Sequence, residues 1–207
     1  MRIDARTGGV VLTVPARTGR AAARAAGLGL LTGNAAWVAD RLGALPQPVV
    51  FADGAELCVA GVPHRIRHVP DARRGVWLDD GEIHVSGDAA HLQRRVDDWL
   101  RAEARRRLGS LVTVKCEAAA LKASRVTVKD TRSRWGSCTP DGTLMFSWRL
   151  VMAPVVVQDY VVAHEVAHLR HMNHGAAFWA FVSELTPHRA AGIGWLKSHG
   201  TSLMRVG

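Results

Sequence analysis

The run His164-Glu165-Val166-Ala167-His168 places the tightest constraint on what this chain can fold into. Two histidines four residues apart lie slightly more than one turn apart on an α-helix, so their imidazoles point the same way, about 6 Å apart along the axis. That spacing suits two ligands of one tetrahedral zinc ion. Glu165 lies beside the first histidine and could reach a water on the metal as a general base. The run therefore predicts a helix that carries most of a metal site.

The residues around this run predict that the helix is buried. From Val155 to about Met172 the segment is apolar on almost every side, and Pro154 stands near its start, where a missing N–H costs little. Two imidazoles and a carboxylate on a buried helix need partners, and a metal ion supplies them. We therefore expect a bound divalent metal, with zinc as the first choice.

The third metal ligand has two candidates. His171 stays on the same helical stripe as His164 and His168 if the helix continues, and three imidazoles along one straight stripe do not easily converge on a tetrahedral ion. His174 lies beyond Asn173, a residue that tolerates the left-handed backbone of a helix end, so it can approach from the side. We prefer His174 and keep His171 as the alternative.

Composition bounds the class of protein. The chain has 207 residues, of which 48% are hydrophobic and 22% charged, as in soluble globular proteins. No apolar run approaches the roughly 20 residues that span a bilayer, so we expect no membrane association. The three cysteines are odd in number and widely spaced, which indicates reduced thiols and a cytoplasmic setting. The sequence gives no indication of oligomeric state.

The net charge of +9 makes nucleic-acid binding possible. Six arginines between residues 94 and 107 could form a stripe for phosphates on one helix. Because Asp97, Asp98 and Glu103 are interspersed among them, a solvated helix face is the better interpretation.

The pattern along the chain predicts a β-rich subdomain over residues 1–87 and a domain that carries the histidines over residues 88–207. The expected strands before residue 87 are Val49–Phe51, Glu56–Val59, His64–Val69 and Val76–Leu78, then a hairpin turn at Asp80-Gly81 into Ile83 and Val85. Short helices are expected at residues 19–31 and from Asn34 to about Gly43.

The second segment should open on a long helix that begins near Asp88 and breaks at Gly109-Ser110. Two strands follow, around Val126–Val128 and Leu144–Trp148, and we expect them to form an antiparallel pair. After the histidines, helices are expected around Phe178 and over residues 187–197.

Several residues could line a substrate cleft. Tyr160 stands one turn before His164 on the same face, although a core tyrosine is an equal alternative. The arginines Arg132, Arg134 and Arg149 would suit the phosphates of a nucleotide, or they could equally be structural ion-pair partners. The candidate cleft residues are Arg134, Trp135, Trp148, Arg149 and Tyr160. Cys138 has no cysteine partner and is expected to be a small buried thiol.

Four blocks of this sequence resemble the YgjP-like metallopeptidase domain family, which is related to SprT-like zincins. The blocks are Arg134-Trp135-Gly136-Ser137-Cys138, Trp148-Arg149-Leu150, the run from Asp159 to Leu169, and Asn173-His174 with Phe178-Trp179. The resemblance covers about Asp88 to Trp195. It implies an α+β, zincin-like core with a backing helix, a small antiparallel sheet, an active-site helix and following helices.

The resemblance also implies zinc held by His164, His168 and His174, with Glu165 as the base. It gives weight to the block from Arg134 to Cys138, and some family members are described as nucleotide pyrophosphatases. We therefore expect a zinc metallopeptidase acting on a peptide or protein.

An extended substrate could add as a strand beside Leu144–Trp148 or the loop before it. The alternatives are a nucleotide phosphohydrolase, a DNA-associated protease recruited through the basic surface, and a non-catalytic module stapled by zinc.

Overall fold

The structure, a computed structural model, describes residues 1–15 and 17–207 and has a mixed α and β architecture. Two short strands come first, β1 (Arg2–Ile3) and β2 (Val10–Val11), followed by two helices, α1 (Arg20–Gly33) and α2 (Ala35–Gly43). Both helices fall where the sequence predicts them. The side chain of Asn34 bonds back to the carbonyl of Leu30 at 2.8 Å, so it closes α1 and does not cap α2.

A four-stranded sheet occupies the rest of the first segment. Its strands are β3 (Glu56–Val59), β4 (Val62–Val69), β5 (Val76–Asp79) and β6 (Glu82–Ser86), in the order β3-β4-β6-β5. The turn at Asp80-Gly81 has positive φ at both residues and joins β5 to β6, as predicted. The expected strand at Val49–Phe51 is wrong, because Val49 forms only an isolated bridge with Val206.

The long helix α3 (Leu92–Ala118) backs the rest of the fold and contains no break at Gly109. Its buried side chains recur every four residues, at Leu92, Val96, Leu100, Ala104, Leu108, Val112 and Cys116. This stripe continues through the glycine, whose own side faces open space. Burial of Leu108 and Val112 outweighs the cost of about 1 kcal/mol for a glycine in a helix.

Three short strands form the second sheet, and their arrangement corrects the expected antiparallel pair. The strands β7 (Arg125–Lys129), β8 (Gly136–Cys138) and β9 (Thr143–Ser147) have the order β7-β9-β8. β9 is parallel to β7 and antiparallel to β8. The hairpin turn at Asp141-Gly142 joins β8 to β9. The strand that pairs antiparallel with β9 is therefore β8, which lies in the loop expected between the two predicted strands.

The helix α4 (Val155–Ala167) is buried along most of its length, as predicted, but it ends five residues before Met172. Its last turn tightens, since the amide of Leu169 bonds to the carbonyl of Val166 at 3.0 Å and that of Arg170 to Ala167 at 3.1 Å. The helices α5 (Ala176–Leu185) and α6 (Arg189–Met204) follow. The chain therefore turns back just after His168.

A half-buried ion pair ties these helices together. Lys115 of α3 lies 2.5 Å from Asp159 of α4 and donates to the carbonyl of Leu185 at 2.7 Å. The hydroxyl of Thr186 donates to the same aspartate and accepts the amide of His188 at 3.0 Å. This network fixes the connection between α5 and α6 against α4.

One hydrophobic core draws on both segments, from Phe51 and Ile66 to Phe146 and Val206. At the junction, two backbone amides of the first segment donate to carbonyls of the turn of helix that follows β9. The amide of Ala60 bonds to Val151 at 2.7 Å and that of Gly61 to Met152 at 3.1 Å. The boundary near residue 87 remains a prediction. Within residues 1–15 and 17–207, none of the helices combines the length and apolar character that a bilayer span needs.

Candidate metal centre

Three imidazoles converge at the end of α4. His164 and His168 come from the last turn of that helix, and His174 comes from the connection to α5. One ring nitrogen from each lies within 4.8 Å of the others. Nε2 of His164 and Nε2 of His174 are 3.1 Å apart. The early end of α4 brings His174 back, because the chain reverses directly after His168.

The alternative ligand, His171, lies outside this cluster. Its ring packs edge-on against Phe181, with 5.9 Å between the ring centroids. Its backbone carbonyl oxygen lies 3.0 Å from Nδ1 of His168. Since a carbonyl can only accept, Nδ1 carries the proton and Nε2 keeps its lone pair for a ligand. His171 thus orients the second imidazole through its main chain.

Burial beside an apolar ring favours the neutral form of His164 and His168. The buried ring of Phe178 lies 5.0, 4.6 and 4.7 Å from the rings of His164, His168 and His174. Burial lowers the pKa of His164 to about 4, with smaller contributions from the other two histidines and from Arg189. Burial also lowers the pKa of His168. At neutral pH these side chains are in the uncharged form that binds metal.

The donor set fits a divalent metal ion. Two nitrogens bound to one tetrahedral zinc at about 2.0–2.1 Å stand about 3.3 Å apart, close to the 3.1 Å between Nε2 of His164 and Nε2 of His174. Nδ1 of His164 is buried and has no hydrogen-bond partner among the described residues. Three ring nitrogens within 4.8 Å of one another could hold one such ion.

Glu165 lies beside the cluster in a nearly closed environment. Its side chain is only 6% exposed, and burial raises the pKa of its carboxyl to about 7, against the opposing charge of Arg134. Gly136 of β8 lies directly over it. A methyl group at residue 136 would come within 2.5 Å of both Cγ and Oε1 of Glu165. The glycine in the Arg-Trp-Gly-Ser-Cys block is therefore what lets the strand approach the carboxyl.

Two adjoining cavities open on the metal centre. One, of about 200 Å³, is bounded by Trp135, Tyr160 and Glu165 among others. The other, of about 400 Å³, includes Arg134 and Cys138 with the three histidines. Three of the five expected cleft residues thus border the site. Cys138 is half-buried at this cleft instead of fully buried.

The structure places the other two expected cleft residues elsewhere. Trp148 is 0% and Arg149 1% exposed, within a wholly buried 3-10 helix over Trp148–Met152. The guanidinium of Arg149 lies 2.5 Å from Asp130, donates to the carbonyl of Val206 at 2.9 Å, and stacks on Trp148 at 4.5 Å. Their assignment to the cleft is wrong, and Arg149 is the structural ion-pair partner kept as the alternative.

Sequence reasoning missed Arg189, whose charge helps to lower the pKa of His164. Its guanidinium carbon lies 3.8 Å from the centroid of the Trp179 ring, whose own centroid is 5.6 Å from that of His174. It belongs to the first turn of α6, so no spacing within the histidine run could have indicated it.

The comparisons with known proteins identify a family for the chain. A family model described as the YgjP-like metallopeptidase domain matches residues 1–199. The match extends well beyond the segment from Asp88 to Trp195 on which the resemblance depended. No curated protein and no solved structure that was compared matches the chain. With a match over nearly its whole length, the chain belongs to the YgjP-like metallopeptidase domain family.

Proposed function

We propose that the protein is a zinc-dependent metallopeptidase in which His164, His168 and His174 hold the metal and Glu165 is the general base. One observation carries this proposal. Three imidazoles converge beside a buried carboxyl whose pKa is raised to about 7. A pKa near the working pH suits a group that must both take and release a proton.

A zinc ion bound there would act as a Lewis acid and would lower the pKa of water toward neutrality. Glu165 then accepts a proton from the attacking water and returns it to the leaving amine. The ring of Tyr160 lies 6.0 Å from that of His164, and burial raises the pKa of its phenol. Tyr160 therefore stays protonated at neutral pH and can donate a hydrogen bond to the substrate carbonyl.

The sheet topology suggests where an extended peptide would lie. β9 pairs on both sides, so strand addition beside Leu144–Trp148, one of the two expected places, is excluded. β8 is at the end of the sheet, so one of its edges has no strand beside it. The strand also contacts α4 next to Glu165. A peptide that adds to this edge would pass its backbone in front of the metal centre.

Metal analysis combined with peptide turnover tests the proposal on the full chain. Zinc should be stoichiometric in the wild type and in Glu165→Gln, while Glu165→Gln should lose about 10²–10⁴-fold in peptide turnover. His174→Ala should lose zinc. His171→Ala is the matched control and should retain it, since its ring points away from the cluster. Full zinc in His174→Ala would overturn the ligand assignment.

The same samples address the rival functions. The phosphohydrolase would be favoured if the protein turned over nucleoside triphosphates but not peptides, and if this turnover disappeared in Glu165→Gln. The burial of Arg149 already removes one residue that could have bound the phosphates. Unfolding on chelation with no turnover of either kind would favour the non-catalytic module.

Recruitment to nucleic acid remains a prediction, and it can be tested by the salt dependence of DNA binding. On the face of α3, Glu103 pairs with Arg106 and Arg107, and Asp97 pairs with Arg101, which fits a solvated face.

A further inference from the structure

Arg189 is a half-buried cation at the rim of the metal centre that has no anionic partner. Its guanidinium lies over the ring of Trp179 at 3.8 Å. It makes no hydrogen bond or ion pair with any residue in the ranges 1–15 and 17–207. Arg170 offers a contrast, because it also stacks on an aromatic ring, that of Phe181 at 4.1 Å, but it donates to the carbonyl of Ala119 at 2.9 Å. The guanidinium of Arg170 therefore has a hydrogen-bond acceptor within the fold, whereas that of Arg189 has none among the described residues.

The position of Arg189 is electrostatically unfavourable within the fold. It occupies the first turn of α6, where the helix dipole disfavours a positive charge, and that turn contains no acidic residue. Half-burial of a cation without a partner adds to this cost. Residues that cost stability in this way are commonly kept for a function.

The backbone around Arg189 is held firmly beside the site. The amide of His188 donates to Thr186, whose hydroxyl is bonded to Asp159 of α4. One turn later, Gly192 packs so closely on Tyr160 that an added methyl group would lie 2.5 Å from its ring. The guanidinium carbon lies 3.8 Å from the centroid of Trp179, and its N–H groups bond to no residue in the ranges 1–15 and 17–207, so they are available to an anion. Carboxylates match that planar array.

A second arginine, Arg134, has no ion-pair partner among the described residues and borders the site itself. Arg134 is exposed, borders the cavity of the three histidines, and forms no ion pair within the described ranges. Glu165 is the only acidic residue among the described residues that border the two cavities. Arg134 thus borders a cavity that contains a single buried acid, and Arg189 lies nearby over Trp179, whose ring neighbours His174. This excess of positive charge favours substrates with negative charge.

We propose that Arg189, assisted by Arg134, binds a carboxylate of the substrate and makes the protein selective for peptides that carry one near the scissile bond. This inference rests on the proposed peptidase function and specifies its substrate class. The carboxylate belongs either to an aspartate or glutamate side chain or to the C-terminus of the peptide, and the two sources are chemically equivalent to a guanidinium.

Matched peptides measure this selectivity in the zinc-loaded full chain. One series replaces Glu by Gln at each position flanking the cleavage site in peptides with amidated ends, and the other compares a free C-terminal acid with its amide. We expect wild-type kcat/KM to favour the carboxylate by about tenfold or more in one of the two series, as for a hydrogen bond to a charged group. The series that shows the preference identifies the source.

The variants assign the preference to the guanidinium. The ratio of kcat/KM between paired peptides should fall toward one in Arg189→Met and lie in between in Arg189→Lys, which keeps the charge but loses the planar fork. Arg73→Met removes an exposed arginine from the first segment and should keep the wild-type ratio. Zinc content is measured for each variant, and the same peptide pairs are titrated into Glu165→Gln by calorimetry, so that selectivity is also read without turnover.

The possible outcomes distinguish a failure of this inference from a failure of the proposed peptidase function. Peptide cleavage without any preference for the carboxylate, or a preference that persists in Arg189→Met with zinc still bound, overturns the inference alone. A different result would support the inference and remove the peptidase function. In that case no peptide is cleaved, but Glu165→Gln binds the carboxylate peptides selectively and loses this selectivity when Arg189→Met is added.

Discussion

Replacing Gly136 by alanine should impair catalysis while leaving the metal site intact. The new Cβ would lie 2.5 Å from Cγ and Oε1 of Glu165 and 2.7 Å from Cδ. Nonbonded carbon atoms prefer about 3.5–4.0 Å, so the carboxyl or the strand must move by about 1 Å. Because Glu165 is buried, it has little room to swing aside. A displacement of about 1 Å at a catalytic group can cost about 10²-fold in rate.

The assay compares kcat/KM for peptide hydrolysis with zinc affinity in the same preparations. Gly136→Ala should lower kcat/KM by about 10²-fold. It should change zinc affinity much less, because the nearest atoms to the new methyl group all belong to Glu165 and none to a histidine. Gly194→Ala, at an exposed position where nothing lies within 4 Å, is the matched control for the same chemical change. Wild-type kcat/KM in folded, zinc-loaded Gly136→Ala would refute the role given to this close approach.

Three further changes test the supports of the site by urea unfolding. Gly192→Ala should destabilise by about 1–3 kcal/mol through overpacking on Tyr160, whereas Gly194→Ala on the same helix should stabilise by up to about 1 kcal/mol; equal shifts would contradict the packing. Arg149→Met should cost about 1–3 kcal/mol, because it removes the buried guanidinium's bonds to Asp130 and to the carbonyl of Val206, and a neutral result would show that these bonds are dispensable. For Asp130, burial raises the pKa, but the hydrogen bond and charge of Arg149 outweigh it and hold the pKa below its usual 3.8. A depressed pKa stabilises the fold above the unfolded value and loses that effect as pH falls through the folded value, so Asp130→Asn should be less stable than wild type at pH 7 and the gap should narrow below about pH 4. A gap that stays constant from pH 7 to pH 3 would contradict this linkage.

Local patterns in the sequence predicted the features that depend on neighbouring residues. The helix around His164 and His168 follows from apolar spacing, and the turn at Asp80-Gly81 follows from residues that tolerate positive φ. The preference for His174 over His171 also began as local geometry. Its structural basis is an earlier helix end than the sequence suggested. The ligand roles themselves await the metal analysis.

Features that depend on distant residues were beyond the sequence. The parallel pairing of β7 with β9 is set by the three-residue strand β8, which is too short to leave an alternating pattern. α3 runs through Gly109 because core contacts outweigh a local helix breaker. Arg149 was expected at the cleft or as a structural ion-pair partner, and only the tertiary fold shows that it is buried and paired with Asp130. Arg189 reaches the site from a separate helix, through tertiary packing alone.

The junction between the two segments has a consequence for how the protein reaches this structure. Gly61 bonds to Met152, and Val49 bridges Val206, so contacts join residues that are far apart along the chain. The chain must lose loop-closure entropy before such long-range contacts stabilise it, so folding is slower in proteins with a larger fraction of these contacts. We therefore expect refolding in the range of milliseconds to seconds, with the metal-binding helix forming early and the imidazoles converging only in the final, cooperative step.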